Sequence, residues 1–233
     1  MTAKQAVRRA GIRGRRAARP SGDDRESAIL ETFEHLLAER PLAAISVDDL
    51  ARGAGISRPT FYFYFSSKDA VLLSLLDRVI AEADAASAAA FGEPVTDRRD
   101  AWRRGITAYF QTFRAHRAVT LAAAEAVAAS PDVRALWARG FEGWVETCTA
   151  TIEAERRRGA APPGVPAREL AIVLNAMNER ALYGTFSGAR AAVAEEDVVD
   201  VLLEVWLGAI YGAATPAAPA TGAPAVSGRP SPS

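Results

Sequence analysis

Arg58, Thr60, Tyr62 and Tyr64 are interleaved with Phe61, Phe63 and Phe65 in one short run, Arg58-Pro59-Thr60-Phe61-Tyr62-Phe63-Tyr64-Phe65. On a helix, Phe61 and Phe65 stand four apart and share an inward face. That leaves Arg58, Thr60, Tyr62 and Tyr64 for the outer surface. Aromatic rings beside an arginine are costly on a solvated helix but useful against a nucleic-acid groove. There Arg reaches guanine, and Thr or Tyr touches a thymine methyl or a phosphate. The competing reading is a helical hairpin with an aromatic core and no ligand.

The elements that must hold these side chains lie just upstream. Ser46 and Asp49 have the spacing of a capping box, with Asp in place of the usual Glu. Leu50 and Ala54 give a first short helix, about 47–53, its inner face, and Ala51 is small enough for a second helix to come close. Gly55 stands at the tight turn, where a positive φ is easiest for glycine. Ile56 is expected to anchor that turn in the core, and Ser57 to cap a second helix at about 58–64, with Pro59 tolerated in its first turn. The segment 46–65 therefore reads as a helix-turn-helix. Its charges balance, Arg52 and Arg58 against Asp48 and Asp49, so bulk attraction to a polyanion must come from elsewhere.

It comes from the N-terminal arm. Residues 1–20 hold Lys4, Arg8, Arg9, Arg13, Arg15, Arg16 and Arg19 and no acid, while the rest of the chain holds 21 of the 28 basic and all 28 acidic residues. A basic arm on an acidic body suits a sequence-independent phosphate contact. A solubilising tail has the same composition.

A second constellation lies further along. Trp137, Phe141 and Trp144 share one helical face, as do Trp102, Ile106, Tyr109 and Phe113. Asn175 and Asn178 stand three apart in an apolar stretch that also holds Tyr183, and Trp206 follows near the end. An apolar cavity walled by rings, with an amide or two to orient a carbonyl, is the usual chemistry of a small-molecule site. The same stripes serve equally as plain core, with the two amides joining helices.

Catalytic and metal chemistry find little support. His35, expected near a core face, and His116 have no metal-like spacing. Asp48-Asp49 and Glu195-Glu196-Asp197 read as acids at helix starts, complementing the dipole. Cys148, the single cysteine, makes no disulfide and reads as a packing residue. With no phosphate loop, nucleophile elbow or triad, no enzyme, cofactor or metal is expected. No apolar run is long enough to span a membrane and the basic N-terminus lacks an apolar signal core, so a cytoplasmic protein is expected.

The rest of the chain is nearly all helix in propensity, and the fold class is all-α. Helices are expected at about 23–39, 47–53, 58–64, 68–90, 97–114, 117–129, 131–158, 167–186 and 195–211. Residues 92–95 read as a turn, and 213–233, rich in Ala and Pro, as a disordered tail. The organisation is a disordered basic arm (1–20), a helix-turn-helix DNA-binding domain of three helices (21–67), a larger ligand-binding and dimerisation domain (68–212) and the tail.

The run from Ile56 to Leu72, which includes Ser66-Ser67-Lys68-Asp69 at the start of the long helix, resembles the signature of the tetracycline-repressor (TetR) family. Four further segments resemble a mycobacterial branch of that family: Arg19 to Arg25, Ser46 to Leu50, Glu153 to Arg156, and Met177-Asn178-Glu179-Arg180. The resemblance implies a repressor that binds a pseudo-palindromic operator as a homodimer and is released by a hydrophobic small molecule. It also implies control of a flavin monooxygenase gene. It places Arg58, Thr60 and Tyr62 at bases or the groove wall and Tyr64, Lys68 and Ser46 at phosphates. Around the ligand channel it places Trp102, Tyr109, Phe141, Trp144, Asn175, Asn178, Tyr183 and Trp206. Ala101, Tyr109, Phe141, Thr147 and Cys148 depart from the branch's pattern. The last two helices would form the dimer face, with Val198, Val201, Leu202, Val205 and Ala209 as the apolar stripe. Two rivals stay open: a helical enzyme using the same cavity, and a ligand-free architectural DNA protein.

Overall fold

A computed structural model describes residues 22–92 and 97–212. The basic arm, most of the expected turn at 92–95 and the Ala/Pro-rich tail lie outside them. Among the described residues there are nine α-helices, one short 3-10 turn and no strand. The chain divides after Val71 into two compact units, the division falling inside the long fourth helix.

The first unit holds α1 (Gly22–Glu39), α2 (Val47–Gly53), α3 (Arg58–Tyr64) and the start of α4 (Lys68–Gly92). Asp23 and Asp24 in the first turn of α1 complement its dipole, and Ile29, Leu30 and Phe33 form its buried stripe. Pro41 ends it, because the residue before a proline is pushed out of the helical region. A 3-10 turn at Leu42–Ala44 follows, which the sequence pattern did not reveal. His35 does not lie at the core: its side chain is exposed and faces Glu39, one turn on, at 3.2 Å. Leu50, Phe61, Phe65 and Val71 complete the small core. Each such side chain contributes about 1.5–3 kcal/mol when fully buried.

Two glycines set the geometry around α2. Gly55 has φ +66°, as the tight turn requires. A Cβ at Gly53 would come within 2.3 Å of the Thr32 methyl, so close approach of α2 to α1 needs glycine there.

The second unit holds the rest of α4, with α5 (Arg98–Ala115), α6 (Arg117–Ala126), α7 (Pro131–Arg157), α8 (Ala167–Ser187) and α9 (Val198–Tyr211). Asp97 and Ser130 cap α5 and α7 by accepting backbone N–H bonds from Arg99 and Val133. Helix α6 stops three residues short of the expected end, the Ser130–Pro131 start of α7 following at once. Helix α9 begins at Val198 rather than at residue 195. Glu195 is not a helix-start acid but pairs with Arg114 at 2.6 Å and Arg117 at 3.5 Å.

The apolar stripe expected on α9 is split between two faces. Val198 and Leu202 turn inward with Leu203, Trp206 and Ile210, while Val201 and Val205 are each 44% exposed. A helix apolar nearly all round reads as one broad stripe; packing decides which residues it buries. On α8, Ile172 and Val173 are exposed in the same way, so apolar area on both helices stays uncovered in the single chain. A third side of α9 carries Asp200 and Glu204, paired with Arg103 and Arg99 of α5.

Candidate functional site

The outer surface of α3 is set by the caps of α2 and α3. Ser46 and Asp49 form a reciprocal box: the Ser46 hydroxyl accepts the Asp49 N–H at 3.2 Å, and the Asp49 carboxylate accepts the Ser46 N–H at 3.0 Å. The Ser46 hydroxyl also donates to the Asp49 carboxylate at 2.7 Å; that bond first, then the Ser46 N–H, with the Arg40 guanidinium at 3.4 Å, holds the Asp49 carboxyl below the usual carboxylate range. Ser57 caps α3 by accepting the Thr60 N–H at 3.2 Å, and the Ser57 and Thr60 hydroxyls lie 2.7 Å apart. Phe61 is fully buried and Phe65 nearly so, with ring centroids 6.2 Å apart. Ile56, expected in the core, is only half-buried.

With Phe61 and Phe65 locked inward, Arg58 and Tyr62 are left exposed. The Arg58 guanidinium is not idle. It donates to Asp48 at 3.0 and 3.3 Å and to the Tyr62 hydroxyl at 3.4 Å, and lies 5.8 Å from the centre of the Tyr62 ring. Asp48 is therefore more than a helix-start acid: it holds the one cation of α3 in place. An exposed pair of this kind is worth little in water, so the guanidinium can be drawn off by a better acceptor.

The remaining expected contacts fall less evenly. Thr60 and Tyr64 are half-buried, and the Ser46 hydroxyl is occupied by its cap. The Lys68 ammonium donates to the Leu42 and Ile45 carbonyls at 2.9 and 3.1 Å, which spends two of its three N–H donors within the fold. Sequence reasoning missed Phe63, the most exposed large apolar side chain described, at 82%. The signal was available: Phe63 lies two residues from both members of the buried Phe61/Phe65 pair, on the far side of the helix.

The second unit contains a cavity of about 290 Å³ between α5, α6, α7 and α8. Rings of Tyr109, Phe113, Trp137 and Tyr183 wall it. Tyr109 and Phe113 centroids are 4.7 Å apart, and Phe113 meets Trp137 edge-on at 5.8 Å. A much smaller void of about 40 Å³ also borders Tyr109. Trp102, Trp144, Asn175, Asn178 and Trp206 border that one.

Seven of the eight expected channel residues thus border a void, but only Tyr109 and Tyr183 border the large one; Phe141 borders neither. Packing explains the division. Trp102 and Trp206 stack at 5.1 Å, and Trp206 donates its indole N–H to the Asn178 carbonyl oxygen at 3.0 Å. Asn175 donates to the Ala171 carbonyl one turn back at 2.8 Å. Around the small void these side chains act as core, and Asn178 ties α8 to α9.

Glu179, to which the sequence pattern assigns no role, lines the large cavity. Its Oε1 accepts the Trp137 indole N–H at 3.1 Å. Burial pushes its carboxyl above the ordinary range, against that hydrogen bond. Burial also raises the Tyr109 phenol and lifts the Cys148 thiol to about 11, so both stay protonated at neutral pH. No group of His, Cys, Asp and Glu among the described residues could hold a metal ion, and no described helix is long and apolar enough to cross a membrane.

Residues 29–75 match the family described as bacterial regulatory proteins, tetR family, and residues 102–212 match the C-terminal domain of the transcriptional regulator EthR. The chain is 55% identical over 213 residues to the HTH-type transcriptional regulator EthR of Mycobacterium tuberculosis, covering 91% of this chain and 99% of that protein. Its counterpart in Mycolicibacterium smegmatis is 50% identical over 200 residues, covering 86% and 92%. Among solved structures, a transcriptional regulator from Saccharomonospora viridis in complex with choline shares the fold at TM-score 0.68 and 24% identity, covering 78% of this chain and 95% of that one. A TetR-family regulator from Rhodococcus sp. does so at 0.64 and 19%, covering 81% and 99%. The capped helix-turn-helix, the all-helical second unit and these likenesses agree: the chain belongs to the TetR family of DNA-binding transcriptional regulators, in its EthR-like branch, a family of regulators and not of enzymes.

Proposed function

We propose that two copies of this chain bind a pseudo-palindromic operator in the cytoplasm, repress the adjoining gene, and let go when a small apolar molecule fills the cavity of the second unit. The observation that carries this reading is the outer face of α3. There Arg58, Tyr62 and Phe63 are presented to solvent on a helix capped by Ser57, whose other face is locked by Phe61 and Phe65. Arg58 leaves Asp48 for a base edge, Thr60 and Tyr62 read the groove wall, and Tyr64 with the third donor of Lys68 anchors on phosphate. Ser46 adds its backbone position at the start of α2. The arm at 1–20 adds a salt-dependent, sequence-independent attraction.

Pairing of two copies through α8 and α9 would cover Ile172, Val173, Val201 and Val205, which the single chain leaves exposed. The four helices would form a bundle. Tyr109, Tyr183 and their neighbours give the effector an apolar wall, and Trp102, Phe141, Trp144, Asn175, Asn178 and Trp206 form a packed layer that a larger ligand would have to open. Ligand releases DNA only through different affinities for the two conformations. By likeness to its EthR relatives, the controlled gene is proposed to encode a flavin monooxygenase.

The test is a gel shift with the intergenic DNA beside the chain's own gene. Arg58→Ala or Tyr62→Ala should weaken operator binding by about 1–3 kcal/mol per lost base contact. Non-specific binding should change far less. Unchanged operator affinity for both variants refutes the assignment of α3.

A further inference from the structure

We infer that the cavity between α5, α6, α7 and α8 takes a molecule with an apolar body and a protonated amine, the ammonium pairing with the Glu179 carboxylate beside the Trp137 ring. This rests on the reading of that cavity as the effector site and adds the charge of the effector.

The wall of the cavity has few polar side chains, and most are spent. The Thr120 hydroxyl proton is shared between the His116 carbonyl one turn back, at 3.0 Å, and the Phe113 carbonyl of α5, at 3.3 Å. Arg180 is exposed at the rim with its guanidinium 5.8 Å from the centre of the Tyr183 ring. The Tyr109 hydroxyl is a neutral donor. Glu179 is different. One oxygen takes the Trp137 indole N–H, and among the described residues no salt bridge pairs it with a Lys, Arg or His.

A carboxylate in such a place constrains what can bind. Filling the cavity with a wholly apolar molecule strips the remaining water from Glu179 and leaves a charge without a counter-charge, or forces the group to take up a proton. Either outcome works against binding. An ammonium removes the conflict, because it brings the opposite charge and a donor for the second oxygen. The rings favour the same ligand. Tyr109, Phe113, Trp137 and Tyr183 line one small volume, and cations are attracted to the faces of such rings, most strongly to Trp. The indole N–H bond holds the Trp137 ring and the carboxylate as neighbours, so one cation can meet both.

The test is calorimetric titration of the full chain, at neutral pH, with three molecules of one shape. These are 4-phenylbutylamine, 4-phenylbutan-1-ol and 4-phenylbutyrate. The amine should bind at least about tenfold more tightly than the alcohol, and the acid most weakly. Glu179→Gln keeps the acceptor for Trp137 while removing the charge. It should abolish the preference for the amine and leave the alcohol within about twofold. An alcohol that binds the wild type as well as the amine overturns the proposal and leaves the cavity's role as an effector site intact. So does an amine preference that survives Glu179→Gln. Failure of all three molecules to bind the wild type overturns both. The wild-type series decides by itself if the variant does not fold.

Discussion

Helices α3 and α8 are made from similar material and do opposite things with it. Each mixes aromatic rings with a few polar groups. On α3 the rings are divided by a local rule: Phe61 and Phe65 go in, Tyr62 and Phe63 stay out, and the only cation waits on Asp48. On α8 two amides and a carboxylate go inward while Arg168 and Arg180 stay exposed. Asn175 and Asn178 are buried, and Glu179 borders a cavity walled by rings from α5, α7 and α8. A seven-residue helix with a serine cap at its start and two aromatic anchors has one stable orientation. A 21-residue helix inside a bundle has its faces assigned by its neighbours. The first surface is preorganised by short-range bonds, the second by packing across many turns.

The largest test of that contrast is Phe61→Ala. It should cost about 3–5 kcal/mol in urea unfolding of the first unit. That is a large share of a typical domain's stability. Operator binding should be lost while amine binding in the second unit is kept. Simultaneous loss of both would mean the two surfaces are not separately organised.

Trp206→Phe probes the other side. It keeps the ring stack on Trp102 but removes the indole N–H, leaving the buried Asn178 oxygen without its donor, for about 1–3 kcal/mol. Thermal unfolding should register that loss with little change in DNA affinity measured below the transition. If stability is unaffected, Asn178 finds another partner and the tie between α8 and α9 is dispensable.

The smallest effect is expected at the cap of α2. Asp49 titrates below the unfolded carboxylate range because of its bonds to Ser46. Its contribution is therefore complete above that range and lost as pH falls through the depressed folded value. Asp49→Asn should leave acid unfolding less steep at its low-pH end, followed by circular dichroism. An identical acid limb in both proteins would show that the box adds nothing pH-dependent.

The sequence by itself determined the helix-turn-helix nearly to the residue. α2 and α3 run where the capping serines, the Gly55 turn and the Phe61/Phe65 pair put them, because each of those signals acts within one or two turns. The order of the later helices was legible for the same reason, through prolines, caps and periodicity. Only the tertiary structure decided how apolar faces were spent. It put Val198 and Leu202 inside and Val201 and Val205 outside. It packed Trp102 against Trp206, and it opened the larger space beside Trp137 and Glu179 instead. Residues three and four apart look alike in a pattern, and the helices packed beside them, drawn from distant parts of the chain, decide which becomes core and which becomes surface.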